Sequence, residues 1–261
     1  MKNLFLIAAA ATFPALASSA AAQDPRPVPK VGVMDDPCGA LPRPAAGTPD
    51  DRRQIELRLA DMFNLCRYRD ANQALSPPSS TRIIFMGDSI TEGWKDSRRG
   101  FFQGDRIDRG ISGQTSAQML GRFYADVIAL RPATVHILAG TNDIAGNGGP
   151  TSLEAIQNNI RSMVELAQAH RIKVILGTVL PAARFDWRPE VDPVPSIRAL
   201  NAWIRNYARS RGITLVDYYA VLDDGRHGLA KSDSADGVHP SAAGYAKMEA
   251  ALESKLGRRK H

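Results

Sequence analysis

Cysteine is scarce in this sequence: only Cys38 and Cys66 occur among its 261 residues. Two thiols rule out a disulfide-rich scaffold, and the absence of a nearby histidine argues against a structural zinc site. In an oxidising compartment an even pair favours a disulfide, which would pin the N-terminal extension to the body of the protein. Two independent buried thiols are the alternative, and both interpretations stay open.

Long apolar runs are also nearly absent. The exception, "LFLIAAAATFPALA", begins at Leu4 and is shorter and more broken than the stretch of about 20 apolar residues that spans a bilayer. It follows Lys2 and precedes small residues at 20–22, which is the order of parts in a signal peptide. We therefore predict a signal peptide over 1–22, export to the periplasm or beyond, and no membrane span. An apolar N-terminal helix of the fold is the alternative.

Positive charge is only mildly in excess, since the formal net charge is +6. No basic stripe is interleaved with aromatic residues, and the terminal "GRRKH" is typical of a solvated tail. We expect no nucleic-acid partner, and the sequence assigns no oligomeric state.

The region 23–80 differs in composition from the rest and is predicted to be an N-terminal extension. Residues 23–47 are rich in proline and small residues, which is typical of an extended arm. Thr48 and Pro49 then form a helix-start signal. The apolar residues that follow at helical spacing are Ile55, Leu59, Met62, Phe63 and Cys66.

From residue 81 to 261 strand-like and helix-like segments alternate in one predicted domain. The strands are expected at 82–86, 107–111, 134–139, 173–179 and 214–218, and the helices at 115–130, 152–170, 195–211 and 241–256. Continuous apolar strands joined by helices predict an α/β fold with a parallel sheet covered on both faces. In such sheets the ligand site lies beyond the carboxyl ends of the strands.

Ser89 directly follows the first predicted strand and could be a nucleophile if a general base lies beside it. His239 is the best candidate for that base, because Asp236 precedes it by three residues in "ADGVHP" and could orient the imidazole. His136 lies within a strand, where a core role is expected, while His170 ends a helix and His261 ends the chain. His227, in a loop rich in glycine and aspartate, remains an alternative.

Three groups could donate hydrogen bonds to a tetrahedral oxyanion. They are the backbone N–H of Ser89, the backbone N–H of Gly113 in "ISGQTS", and the side-chain amide of Asn142 in "GTNDIAGN". The alternative for Gly113 and Asn142 is that each is an ordinary turn residue.

The four blocks "FMGDSITEGW", "RGISGQTS", "GTNDIAGN" and "DGVHP" together resemble the SGNH, or GDSL-type, esterase and lipase superfamily over residues 82 to about 256. The resemblance implies a flavodoxin-like three-layer α/β/α sandwich with about five parallel strands, and a serine hydrolase without metal or cofactor. It implies Ser89 as nucleophile, Asp236 and His239 as its partners, and Ser89, Gly113 and Asn142 as the oxyanion hole. One departure is Ile90 in place of leucine. The G-x-S-x-G pattern is absent, which argues against the α/β-hydrolase fold.

The predicted substrate is a small-molecule or glycan ester with a short acyl group, above all acetyl, because no long apolar lid follows any strand. Trp94, Phe185 and Trp187 are candidates for lining the substrate site, although Phe185 and Trp187 could instead pack their loop onto the body. Three alternatives stay open: an acyltransferase that acts on cell-wall or capsule sugars, a lysophospholipase-like lipid esterase, and a glycan-binding domain without catalysis.

Overall fold

The computed structural model describes residues 32–33 and 61–256. The predicted signal peptide, most of the Pro-rich arm, Cys38 and His261 lie outside these residues. Cys66 is an exposed thiol, so the buried-thiol interpretation is wrong for this cysteine, while the predicted disulfide involves Cys38 and so lies outside the described residues. Within the described ranges, no helix combines the length and the apolar character needed to cross a membrane.

The predicted α/β class is confirmed. A five-stranded sheet has the order β3-β2-β4-β6-β7, and every neighbouring pair is parallel. Its strands are β2 (Ile83–Gly87), β3 (Arg106–Gly110), β4 (Thr134–Ile137), β6 (Lys173–Gly177) and β7 (Thr214–Val216). Each begins within one residue of its predicted start.

Eight α-helices lie within the described residues, several of them as crossovers between strands. They are α1 (Arg69–Gln73), α2 (Ser89–Ser97), α3 (Ser116–Asp126), α4 (Thr141–Ile144), α5 (Leu153–Ala169), α6 (Val194–Arg211), α7 (Tyr218–Leu222) and α8 (Ala242–Leu256). The predicted helix over 115–130 is divided into α3 and a short 3₁₀ turn, Ile128–Leu130. The other three predicted helices are confirmed as α5, α6 and α8.

The two faces of β2 show why the sheet needs helices on both sides. Ile84 and Met86 belong to the core that α3, α5 and α6 cover. Ile83 and Phe85 point the other way, into the core beneath α2, α7 and α8. Because successive side chains of a strand alternate between faces, a strand buried along its whole length must be apolar throughout.

The helix predicted in the N-terminal extension was expected to continue through Cys66, and this part of the prediction is wrong. Residues 61–66 form turns rather than helix, and the earlier part of that helix lies outside the described residues. Asn64 has a positive φ of 56°, which a helix does not allow. The carboxylate of Asp61 accepts hydrogen bonds from the N–H groups of Leu65 at 2.7 Å and Cys66 at 3.0 Å. This local capping competes with helix hydrogen bonding.

A second, two-stranded sheet ties the N-terminal arm to the domain. Strand β1 (Gly32–Val33) runs parallel to β5 (Pro150–Thr151) and lies beside α4. Val33 is half-buried against the main core. The arm is therefore part of the folded domain at this point.

Candidate active site

The first strand of the large sheet ends in a tight turn into a helix. Asp88 caps α2, because its Oδ1 accepts a hydrogen bond from the Ile90 N–H at 2.9 Å. A Cβ at Gly87 would lie 2.0 Å from the Thr91 hydroxyl oxygen, so only glycine fits. Ser89 is the first residue of the helix, where backbone N–H groups have no partner within the helix. This turn places the serine at the carboxyl edge of the sheet.

Ser89, His239 and Asp236 form a continuous hydrogen-bonded row. Ser89 Oγ lies 2.9 Å from His239 Nε2, and His239 Nδ1 lies 2.7 Å from Asp236 Oδ2. A row in which a carboxylate orients an imidazole beside a serine hydroxyl is the geometry that can activate a serine for nucleophilic attack. The structure thus brings together the three side chains that the sequence singled out.

The Asp236 carboxylate is held ionised by its own loop. Its Oδ1 accepts hydrogen bonds from the backbone N–H groups of His239 at 2.8 Å and Val238 at 2.9 Å, and from the Ser234 hydroxyl at 3.1 Å. Partial burial acts to raise the pKa of Asp236. The hydrogen bonds from the His239 side chain and these amides outweigh it and keep the pKa well below its usual range.

The other described histidines have different surroundings. His136 is fully buried in β4, where its Nε2 lies 2.9 Å from the Tyr218 hydroxyl. Burial lowers the pKa of His136 to about 3, so the ring is neutral at physiological pH. His170 ends α5, and His227 pairs with the Tyr219 hydroxyl at 2.9 Å. His239 is the histidine whose ring contacts Ser89.

Gly113 lies in a loop whose next residue, Gln114, contacts Asn142. Asn142, in α4, donates its side-chain N–H to the carbonyl of Gln114 at 3.1 Å. Asn147 donates to the side-chain oxygen of Asn142 at 2.5 Å. Gly113 has a φ of +78° and is exposed. The amide of Asn142 is therefore fixed in orientation, and one of its two N–H bonds is not used by Gln114.

Two open clefts meet at this edge of the sheet. The nucleophile cleft, of about 380 Å³, is lined by Ser89, Glu92, Gly93, Asp96, Ser97, Ser112, His239, Pro240 and Tyr245. The second, which we term the amide cleft, has a volume of about 640 Å³ and is lined by Asp61, Met62, Asn64, Ser112, Gly113, Gln114, Gln118 and Asn147. Ser112 lines both clefts, so they adjoin.

The three aromatic residues predicted to line the substrate site behave differently. Trp94 is fully buried among the aromatic rings beneath α2 and α8, so its assignment to the site is wrong. Phe185 is also fully buried, and that assignment is wrong too. Trp187 is 40% exposed, and its ring centre lies 6.4 Å from that of His239. Its indole N–H donates to Asn147 at 3.2 Å, which places it at the rim of the site.

No group of three or more histidine, cysteine, aspartate or glutamate residues is arranged to hold a metal ion within residues 32–33 and 61–256.

Residues 85–247 match the GDSL-like Lipase/Acylhydrolase family. The chain belongs to this family. Its members are carboxylic ester hydrolases, and the five-stranded parallel sheet flanked by helices is the fold expected for them. The family resemblance inferred from the four sequence blocks is therefore confirmed.

The chain is also similar to two curated proteins, one of which is an esterase. Esterase TesA of Pseudomonas aeruginosa is 32% identical over 146 residues, which is 54% of this chain and 64% of TesA. The uncharacterized lipoprotein YqeF of Bacillus subtilis is 36% identical over 119 residues, covering 38% of this chain and 48% of YqeF. The match thus spans less than two thirds of the length of either curated relative.

A solved structure covers more of the chain. A GDSL-like lipase from Bacteroides thetaiotaomicron is 46% identical, with a TM-score of 0.71. The alignment covers 74% of this chain and 96% of that protein.

A buried arginine, Arg122, links two of the loops at the site, and this residue was not predicted from the sequence. Arg122 is fully buried and donates to the carbonyls of Gly87 at 3.1 Å and Arg109 at 2.8 Å, and to the side-chain oxygen of Gln114 at 2.6 Å. It also pairs with Asp126 at 2.9 Å. One side chain thus joins the turn before Ser89 to the loop after Gly113. A charged residue on the buried, apolar face of α3, next to Phe123 in the sequence, could have indicated such a role.

Glu92 is a second residue that the sequence analysis missed. Its carboxylate accepts a hydrogen bond from the Ser112 N–H at 2.9 Å and pairs with Arg67 at 2.8 Å. Glu92 lies one helical turn after Ser89, so it ties the loop that carries Gly113 to the helix that carries the serine. Ordinary helix periodicity gives no sign of this role.

Proposed function

We propose that this protein is an exported serine esterase that removes short acyl groups, above all acetyl, from carbohydrates. The main support for a serine-esterase reaction is the hydrogen-bonded row from Ser89 Oγ through His239 to Asp236. Membership of the GDSL-like family and the relationship to an esterase support the same chemistry.

In the first half of the proposed reaction, Ser89 Oγ attacks the ester carbonyl carbon while its proton passes to His239 Nε2. A new C–O bond forms, and the carbonyl oxygen takes the electron pair as an oxyanion. When this intermediate collapses, the bond to the alcohol oxygen breaks and His239 returns the proton to the departing alcohol. Asp236 stabilises the imidazolium, and its lowered pKa keeps it ionised throughout.

The proposed oxyanion hole consists of the Ser89 N–H, the Gly113 N–H and the Asn142 side-chain amide. Donors that are fixed before the reaction stabilise developing charge without the cost of reorganisation. The hydrogen bonds of Asn142 to Gln114 and Asn147 support such a fixed position. In the second half-reaction, water attacks the acyl-enzyme with His239 as base, which releases the acid and restores Ser89.

The lining of the nucleophile cleft supports the proposed preference for a short acyl group. Its lining consists mainly of small, hydroxyl and carboxylate side chains, and none of the described lining residues is aliphatic apart from Pro240. A long acyl chain would meet the side chains of Pro240 and Tyr245 as its apolar partners in this open cleft, and each CH₂ contributes about 0.8 kcal/mol only when it is buried. The exposed Trp187 ring beside His239 supports a sugar substrate, because an aromatic face suits a sugar ring.

Export is proposed from the N-terminal sequence. Residues 1–22 carry the parts of a signal peptide in order, and residues 23–80 and 81–261 are proposed as the extension and the hydrolase domain. The lipoprotein relative YqeF supports an extracytoplasmic setting.

One experiment tests this function. The protein beginning at Gln23 is assayed on p-nitrophenyl acetate, butyrate, octanoate and palmitate, and on acetylated xylan with and without an acceptor sugar. We expect the highest kcat/KM on acetate, free acetate from xylan, and no activity in Ser89→Ala. A preference for palmitate would overturn the short-chain assignment. Acetate recovered mainly on the acceptor would identify an acyltransferase, and full activity of Ser89→Ala would overturn the mechanism.

A further inference from the structure

The amide cleft has one wall from outside the region that matches the family. Asp61, Met62 and Asn64 precede the matched residues 85–247, yet they line the same cleft as Gly113. The extension therefore contributes directly to the surroundings of the proposed oxyanion hole. A cleft of about 640 Å³ is within the size range of small-molecule sites.

The extension wall is fastened to α3 and to the loop before it. Gln114 donates from its side chain to the Phe63 carbonyl at 3.2 Å and to the Asn64 side-chain oxygen at 2.9 Å. Gln118 donates to the Met62 carbonyl at 3.2 Å. The Phe63 ring lies so close to Gly121 that a Cβ there would be 2.4 Å from it. The wall is thus formed before any ligand arrives, which lowers the entropic cost of binding.

The chemistry of the lining favours an uncharged ligand with many hydroxyl groups. Four lining residues carry side-chain amides, which both donate and accept hydrogen bonds: Asn64, Gln114, Gln118 and Asn147. Gln114 is buried and its amide is hydrogen-bonded to Phe63, Asn64 and Arg122, so the partly exposed amides of Asn64, Gln118 and Asn147 are the ones open to a ligand. The charged side chain among the lining residues is the carboxylate of Asp61. A negative group without a lysine or arginine in that lining disfavours phosphate and carboxylate ligands, and the single Met62 side chain offers little surface for an alkyl chain.

The amide cleft is within reach of the reacting serine. Ser112 lies at the junction of the amide cleft and the nucleophile cleft, and the Glu92 carboxylate holds the Ser112 N–H at 2.9 Å. Trp187 donates to Asn147 and stands beside His239, so an aromatic face borders the same junction. An ester bound at Ser89 can therefore extend its alcohol part into the amide cleft.

We propose that the amide cleft is a carbohydrate subsite, in which the turn 61–64 selects an uncharged sugar as the alcohol part of the ester. This inference rests on the proposed function, and it assigns the extension a role in substrate specificity rather than in the chemical step.

The test fills the cleft by changing a residue that is not itself one of the proposed catalytic groups. Met62→Trp adds bulk at a residue that is 46% exposed, and Leu65→Trp adds the same bulk at a residue of the neighbouring turn that is 45% exposed and does not line the cleft. Each variant is compared with the wild type on p-nitrophenyl acetate and on acetylated xylo-oligosaccharides. We expect Met62→Trp to lower kcat/KM on the oligosaccharides at least about 10-fold more than it lowers kcat/KM on p-nitrophenyl acetate. Leu65→Trp should change neither value.

Asn64→Gly is the second variant if Met62→Trp does not fold. Glycine accepts the positive φ of Asn64 while removing one amide from the lining, so a selective loss on the oligosaccharides is again expected. An oligosaccharide rate equal to that of the wild type in a folded variant would overturn the subsite and leave the proposed function standing. Failure of the wild type to release acetate from any acetylated sugar would overturn both.

Discussion

The side-chain amide of Asn147 donates a hydrogen bond to the side-chain oxygen of Asn142 at 2.5 Å. This contact decides which way the Asn142 amide faces, because its oxygen is taken by Asn147 and its nitrogen points to the Gln114 carbonyl. A side chain fixed at both ends is what a preorganised oxyanion donor requires.

Replacing Asn142 with alanine should lower kcat on p-nitrophenyl acetate about 10²–10³-fold with little change in KM. An amide that meets the substrate oxygen only when negative charge develops affects the chemical step and not ground-state binding. The change also leaves the Gln114 carbonyl without its donor, which costs about 1–3 kcal/mol of stability. Steady-state kinetics and a melting curve separate the two effects. A lower Tm with unchanged kcat would make Asn142 a structural turn residue.

Asp236→Asn should reduce kcat by up to about 10⁴-fold and still leave more activity than Ser89→Ala. Asparagine can keep the backbone hydrogen bonds of the loop, but it no longer stabilises a charged His239 ring. Asp224→Asn provides the control, because Asp224 also accepts backbone N–H bonds in a nearby loop and does not contact His239. Equal rates for Asp236→Asn and the wild type would remove Asp236 from the mechanism.

The buried carboxyl of Asp88 should make stability fall as the pH rises from about 4 to 6. Burial raises the pKa of Asp88 from 3.8 to about 6. The folded state therefore binds the proton more tightly than the unfolded state, and ionisation above the folded pKa penalises folding. Asp88→Asn keeps the side-chain oxygen that caps α2 and cannot ionise. The free energy of unfolding of the variant should thus rise relative to the wild type by as much as about 3 kcal/mol between pH 4 and 7.

Denaturant unfolding across this pH range measures the Asp88 effect. Asp96→Asn, an exposed position on the same helix, is the matched control and should follow the wild-type profile. Parallel profiles for Asp88→Asn and the wild type would contradict the expected penalty.

Metal chelators should leave ester hydrolysis unchanged. The proposed reaction uses the serine, the histidine and fixed hydrogen-bond donors, and none of its steps requires a Lewis acid. Rates measured before and after prolonged EDTA treatment and gel filtration test this. A rate that falls with EDTA and returns with added zinc would contradict a metal-free reaction.

The alternation of strands and helices was predictable because buried parallel strands must be apolar on both faces, as in Ile83 to Met86. The approach of His239 to Ser89 followed from the rule that loops at the carboxyl ends of parallel strands share one edge of the sheet.

The burial of Trp94 was not foreseen, because helix α2 was not predicted. Its sequence contains Gly93, and it depends on the Asp88 cap and on packing against the core. With that helix assigned, the four-residue spacing from Ile90 to Trp94 would have indicated one buried face.

Positions fixed by long-range contacts were less predictable. Arg122 contacts groups from three separate segments, and no local pattern specifies those partners. The turn at Asn64 likewise depends on side chains of the loop before α3, some 50 residues away. A prediction from helical spacing alone therefore placed the end of the helix in the N-terminal extension too late, at Cys66.

The pairing of Gly32–Val33 with Pro150–Thr151 bears on how the protein should be produced and truncated. A recombinant form that starts at residue 81, the proposed start of the hydrolase domain, would lose this strand together with the turn 61–64 while keeping all of β2. It would expose the edge of the short sheet beside α4, the helix that carries Asn142. An unpaired strand edge is a template for association between copies. Poor solubility of such a shortened protein would therefore be the expected effect of a missing partner strand, and it would not count against the assignment of the catalytic groups.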